Sequence, residues 1–216
     1  MLSVFSCNQG EYQFLRQIAL EQYYFASSLD VLNGKILVGH DNGKIQVVNV
    51  DGTDKKLINA SHCDGEAWGL EVIQDKGTYL TCGDDNLIYE YSIKDKTMVK
   101  QGKIWSFDMM GGKAYETSKI KSTASTMSGH PVQQQGRAIT YSPHHNHVAV
   151  SNNYGDVHIL DYNDFSKRIT TLYKPREWCE VLVYSPDGNF LAIGSHDDTI
   201  YIYKIDKGEY THHWTI

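Results

Sequence analysis

The sequence predicts an all-β chain folded as a segment of a β-propeller, and three observations lead there. A ten-residue pattern of small residue, polar turn and alternating apolar strand recurs four times. The copies are evenly spaced once a single insertion is set aside. Each copy also follows a strand–turn–strand signal at a matching distance.

The copies begin at Gly39, Cys82, Ser151 and Gly194 and end at Val48, Tyr91, Leu160 and Tyr203. Their last residues lie 43, 69 and 43 positions apart, and 69 is the same period with 26 residues inserted. A period of about 40–45 residues holding about four strands is the propeller signature. The hairpins upstream have turn chemistry that explains them. Asn33-Gly34 lies between two apolar runs, and Asn-Gly suits the left-handed backbone of a two-residue turn. Ser185-Pro186-Asp187-Gly188 joins a residue with preset φ to one that tolerates positive φ. Ser142-Pro143 repeats that hairpin one unit earlier, and Asp75-Lys76-Gly77 serves the remaining unit. Residues 1–22 read as lead-in strands, 23–216 as blades, and about 106–131 as an inserted basic loop. Rings of this kind need about four to eight blades, usually seven, so four units predict an incomplete ring. If each unit lends its outer strand to a neighbour, one blade is left unfinished. Further blades would come from a longer chain or from another chain.

Composition excludes several classes. Of 216 residues, 41% are hydrophobic and 21% charged, which is not the balance of a disordered chain. The formal charge of −6 argues against general nucleic-acid binding, which needs cations to displace counterions. No apolar run reaches the roughly 18 residues of a membrane helix, and the first dozen residues lack a basic signal-peptide region. No membrane association is expected. Cys7, Cys63, Cys82 and Cys179 have no metal-ligand spacing and read as free thiols. The pair His62-Cys63 lacks further zinc ligands nearby. The sequon Asn59-Ala60-Ser61 reads as accidental.

The motifs of common chemistry are missing too. Gly111-Gly112-Lys113-Ala114 lacks the upstream Gly and the hydroxyl of a phosphate loop, and there is no G-x-S-x-G or H-E-x-x-H. No catalytic residue, metal ligand or cofactor is expected. The acid pairs Asp84-Asp85 and Asp197-Asp198 occupy equivalent turns of two units, so Asp85 and Asp197 read as structural turn acids. His144, His145 and His147 fall on a hairpin turn and read as a solvated tip. His40 and His196 lie at the polar turn and read as structural hydrogen-bonding groups. Trp68 and Trp178, each near the start of an inner strand, are candidates for partner binding, although aromatics in a propeller more often fill the wedge between blades. Residues 94–121 hold seven lysines against three acids. From this stretch Lys113, Lys119 and Lys121 are candidates for docking an acidic partner.

These residues resemble WD repeats, although Val48, Tyr91, Leu160 and Tyr203 stand where the closing Trp would be. The turn Asp persists as Asp85 and Asp197, and Asn42 and Tyr154 replace it elsewhere. The stretch from His62 through Asp64-Gly65-Glu66-Ala67-Trp68-Gly69-Leu70 is similar to the H-x-D-E-x-W-G-L run of the echinoderm microtubule-associated protein-like family. So are Thr81-Cys82-Gly83-Asp84-Asp85 and the segment from Glu177-Trp178-Cys179-Glu180 to Tyr203. The insertion, with Ser122–Ser128 and Gln133–Ala138, is similar to that of the longer, multi-propeller members. The resemblance covers about residues 25–214. It implies a non-enzymatic, cytoplasmic and cytoskeletal protein, with a cilium or axoneme as one setting, that binds tubulin or microtubules through propeller surfaces. A generic interaction scaffold that does not bind tubulin is the alternative reading. A hydrolase with a site between blades is a weaker third. The coiled coil and leading hydrophobic motif of family members are not recognisable here.

Overall fold

The computed structural model describes residues 1–20, 25–41, 44–58, 62, 66–104 and 135–216. Every regular element among them is a strand. The first sheet is a hairpin of β1 (Leu2–Asn8) and β2 (Glu11–Ile18). Four four-stranded antiparallel sheets follow in strict chain order. Blade 1 holds β3 (Ala26–Leu32), β4 (Lys35–His40), β5 (Ile45–Asn49) and β6 (Lys56–Ile58). Blade 2 holds β7 (Ala67–Ile73), β8 (Thr78–Gly83), β9 (Leu87–Ser92) and β10 (Met98–Lys103). Blade 3 holds β11 (Gly136–Ser142), β12 (His147–Asn152), β13 (Val157–Asp161) and β14 (Asp164–Leu172). Blade 4 holds β15 (Cys179–Tyr184), β16 (Phe190–Ser195), β17 (Thr199–Asp206) and β18 (Glu209–Thr215).

This is a run of propeller blades with open ends. Four sheets hold all four strands, and the short sheet is the N-terminal hairpin, with two. The turns follow the sequence chemistry, with Asn33 (φ 47°) and Gly34 (φ 74°) both left-handed between β3 and β4.

The blades are held together by apolar seams. Between blades 1 and 2, Leu37, Ile45 and Val47 meet Val72, Tyr79 and Tyr91. Between blades 2 and 3, Leu80, Cys82, Ile88 and Ile104 meet Val148, Val150, Leu160 and Phe165. Ala149, Val157, Ile159 and Leu172 meet Leu191, Ile193, Tyr201 and Tyr203 between blades 3 and 4. Tyrosines therefore fill the wedges, and the closing-Trp positions are among the most buried in each blade. Hydrogen bonds pin the seams as well: Ser27 Oγ donates to the Ala67 carbonyl (2.7 Å) and Ser151 Oγ to that of Cys179 (2.7 Å).

One sequence expectation changes here. His144, His145 and His147 are not merely a solvated tip. The Nε2 groups of His144 and His145 lie 2.9 Å from the carbonyls of Pro186 and Gly188, and His147 Nδ1 lies 3.0 Å from the Tyr210 hydroxyl. They latch the lower rim of blade 3 to blade 4. The first part of the lysine-rich stretch is strand β10, where Lys100 reaches 3.1 Å from the buried carboxylate of Glu90 and lies over the Tyr162 ring. Lys113, Lys119, Lys121 and the rest of the 106–131 insertion lie outside the described residues.

Candidate functional site

Antiparallel order places every second-to-third and fourth-to-first strand connection at one end of the blades, here called the upper face. Trp68 in β7, Arg137 in β11 and Trp178 just before β15 all lie there, at the start of three successive inner strands. The first strands of each blade have equivalent pairings, Ala67 with Gly83, Gly136 with Asn152 and Cys179 with Ser195. Trp68 and Arg137 are therefore the same position of neighbouring blades.

The structure brings the two tryptophans together around a residue that sequence reading passed over. The Arg137 guanidinium lies 4.4 Å from the Trp68 ring centroid and 4.7 Å from that of Trp178. A cation held over aromatic faces is attracted by the ring quadrupoles, the more so when desolvated, and Arg137 is only 9% exposed. Its Nη2 donates to Gln135 Oε1 (3.1 Å). Neither tryptophan belongs to an apolar seam, so the wedge role does not describe them. Trp68 Nε1 donates to Asp84 Oδ1 (2.9 Å), whose other oxygen accepts from the Glu66 N–H (3.0 Å). Trp178 packs edge-on against His196, and His196 Nε2 lies 3.1 Å from Glu180. Burial pushes the Glu66 carboxyl up, and the charges of Asp84 and Asp41 push it further.

The turn acids lie just beneath this face. Asp85 Oδ1 accepts from the Leu87 N–H (3.0 Å) and lies 2.6 Å from His62 Nδ1, while Oδ2 accepts from the Tyr89 hydroxyl (3.2 Å). Burial raises the Asp85 carboxyl, but His62 and these donors outweigh it and hold it below its ordinary range. Asp197 Oδ2 accepts from the Arg176 N–H (2.9 Å) and the Tyr201 hydroxyl (2.7 Å). Beside it, Lys174, Arg176, Asp197, Thr199, Tyr201 and Thr215 line an open groove of about 270 Å³.

One arrangement has the outline of nucleophilic chemistry. His62 Nε2 lies 2.8 Å from Thr81 Oγ1 and its Nδ1 faces Asp85, a hydroxyl–imidazole–carboxylate relay. Thr81 and His62 are both fully buried, and the relay ties His62 to β8 and to Asp85. Cys82 and Cys179 are buried as well, and burial pushes the Cys179 thiol up to about 12. Among the described residues, no three His, Cys, Asp or Glu side chains could hold a metal ion together, and no helix is long and apolar enough to cross a membrane.

The chain is a WD-repeat β-propeller segment. Residues 139–216 match the profile of the anaphase-promoting complex subunit 4 WD40 domain. A chain in a crystal structure of the mitotic checkpoint complex superposes on 99% of this chain with a TM-score of 0.67 at 14% identity, covering 57% of that chain, which shows the fold alone.

More particularly, it is a relative of the echinoderm microtubule-associated protein-like proteins, as its motifs suggested. It is 32% identical to human echinoderm microtubule-associated protein-like 1 over 92% of its length. Identity to the ciliary WD repeat-containing protein ctxp80 of Euplotoides octocarinatus is 39% over 82% of its length. The chain spans only 21% and 24% of those two relatives.

Proposed function

We propose that this chain is a non-enzymatic, tubulin- or microtubule-associated binding module, part of a cytoskeletal scaffold in the cytoplasm or cilium. Its docking surface is the upper face around Trp68, Arg137 and Trp178. The observation that carries this reading is the Trp–Arg–Trp stack: two aromatic rings and a cation, the residue types that dominate interface energetics, gathered on a loop face outside the apolar seams. The names of the relatives supply the class of partner. The lysines Lys113, Lys119 and Lys121 fall in the sequence between Ile104 and Gln135, both of which lie at this same face. They would steer an acidic partner over a Debye length of about 8 Å.

Co-sedimentation with polymerised tubulin tests this across a salt series, using the parent, Trp68→Ala with Trp178→Ala, and a triple Lys→Ala variant at 113, 119 and 121. Binding should weaken at least tenfold in the tryptophan variant, and its salt dependence should flatten in the lysine variant. Phosphorylation within Ser122–Ser128 should weaken binding too. A parent that stays in the supernatant at low salt would leave a scaffold for other proteins.

A further inference from the structure

The N-terminal hairpin has the signature of half a blade. In blade 3, Val157 pairs with Leu172 and Ile159 with Thr170, and then the register slips so that Leu160 faces Arg168. Blade 4 slips at the same place, with Ile202 facing Trp214 and Tyr203 facing His212. Blade 2 does so where Glu90 faces Lys100 and Tyr91 faces Met98. In the hairpin, Leu2 faces Ile18, Val4 faces Arg16, and after an identical slip Phe5 faces Phe14. A bulge is a specific local feature that bends a strand at one point. Its recurrence identifies β1 with the third strand of a blade, β2 with the fourth, and Phe5 with Val48, Tyr91, Leu160 and Tyr203.

Packing agrees with that identity. Leu2, Val4 and Ile18 lie against Ile36, Val38 and Val48 of blade 1, the positions a preceding blade covers elsewhere. Yet Phe5 is 52% exposed, whereas its four counterparts range from 0% to 5%. Each counterpart strand pairs on both sides, whereas among the described residues β1 pairs with β2 alone. The free edge, Leu-Ser-Val-Phe-Ser-Cys-Asn, also has no charge or proline, the devices that keep open edges from recruiting strands.

We propose that the β1 edge receives a β-hairpin, the inner half of the same blade, carried by further propeller sequence. The incoming strand runs antiparallel to β1. It places a large apolar residue opposite Phe5 and Leu or Ala opposite Val4, as Ile36 and Leu37, Tyr79 and Leu80, Val148 and Ala149, and Leu191 and Ala192 stand in the four complete blades. A second copy pairing edge to edge would satisfy the backbone of β1 but would bring no such inner pair.

The probe is the full chain extended ahead of Met1 by a copy of its own residues 179–198, which sets that hairpin and its connection in register. Hydrogen exchange of the β1 amides should slow by roughly tenfold or more relative to the parent. The slowing should vanish when Phe5→Asp is added, or when Leu191→Asp is placed in the copied segment alone. Unchanged β1 exchange with blades 1–4 still protected would overturn the proposal. So would loss of protection in those blades, because an element suited to the site does not unseat its neighbours. Protection of β1 in the parent that grows with concentration would also overturn it, assigning the edge to a second copy.

Discussion

Blades 3 and 4 are the same pattern 43 residues apart, and they differ in what covers them. Ala138, Ala149, Val157 and Ile159 of blade 3 become Val181, Ala192, Ile200 and Ile202 in blade 4, and Leu172 corresponds to Ile216. In blade 3 these side chains lie in the seam with blade 4. In blade 4, Val181, Ile200 and Ile216 are 54%, 45% and 74% exposed, joined by Trp214 and Val183. The lesson is that an apolar residue in a repeat is written for its neighbour. The exposed face of blade 4 thus repeats the residue types that its twin buries in a seam.

The largest expected effect comes from truncating the twin positions. Leu172→Ala should destabilise by about 2–5 kcal/mol, because it removes buried methyl groups and leaves a cavity. Ile216→Ala should stay within about 0.5 kcal/mol. Urea midpoints of both variants check this. A cost at Ile216 equal to that at Leu172 would mean the blade 4 face is covered in solution.

The turn acids sharpen the comparison at smaller scale. Asp85→Ala in blade 2 should cost about 1–3 kcal/mol, since the His62 ring, the Leu87 amide and the Tyr89 hydroxyl all lose their acceptor. Asp197→Ala in the end blade strips two donors and should cost less. Thermal melts decide the order. An Asp197→Ala protein that melts like the parent yet fails to bind its partner would move Asp197 from scaffold to docking surface.

The smallest effect concerns pH, because half-buried Glu71 and buried His158, both in the covered blades, work against each other. Burial, helped by the Asp30 charge, pushes Glu71 up to about 7 from 4.5. The folded state then keeps a proton that the unfolded state releases, so stability falls as pH rises across that window. Burial, helped by Arg168, pushes His158 down to about 4 from 6.5. The unfolded state takes the proton first, so this contribution is lost as pH falls from 6.5 toward 4. Denaturation profiles of Glu71→Gln should therefore rise with pH over this range, and those of His158→Gln should fall. A Glu71→Gln profile matching the parent would remove Glu71 from the account.

The fold was legible because one period carries everything that shapes a blade. Val48, Tyr91, Leu160 and Tyr203 mark the third strands, and Asn33-Gly34 and Ser185–Gly188 mark reversals that local chemistry dictates. The N-terminal hairpin read only as lead-in strands, because its turn, Gln9-Gly10, follows β1 and so is not the polar run that announces the other third strands. Its identity rests on a register slip that no residue type encodes. The docking face was half legible. Trp68 and Trp178 stood out by type, but they lie 110 positions apart and meet only because Arg137 sits on the blade between them. Aligning the inner strands by their partners in the second strand would have placed Arg137 at the position of Trp68.

The histidine latch has a mechanical consequence. Blade 4 is fastened to blade 3 at the lower rim by His144, His145 and His147, and near the upper rim by Ser151. A pull on the last strand is therefore resisted at two separated points, as a door is by a hinge at each end. Such a load strains both fastenings together instead of peeling the blade from one corner, so blades 3 and 4 bear tension as one body.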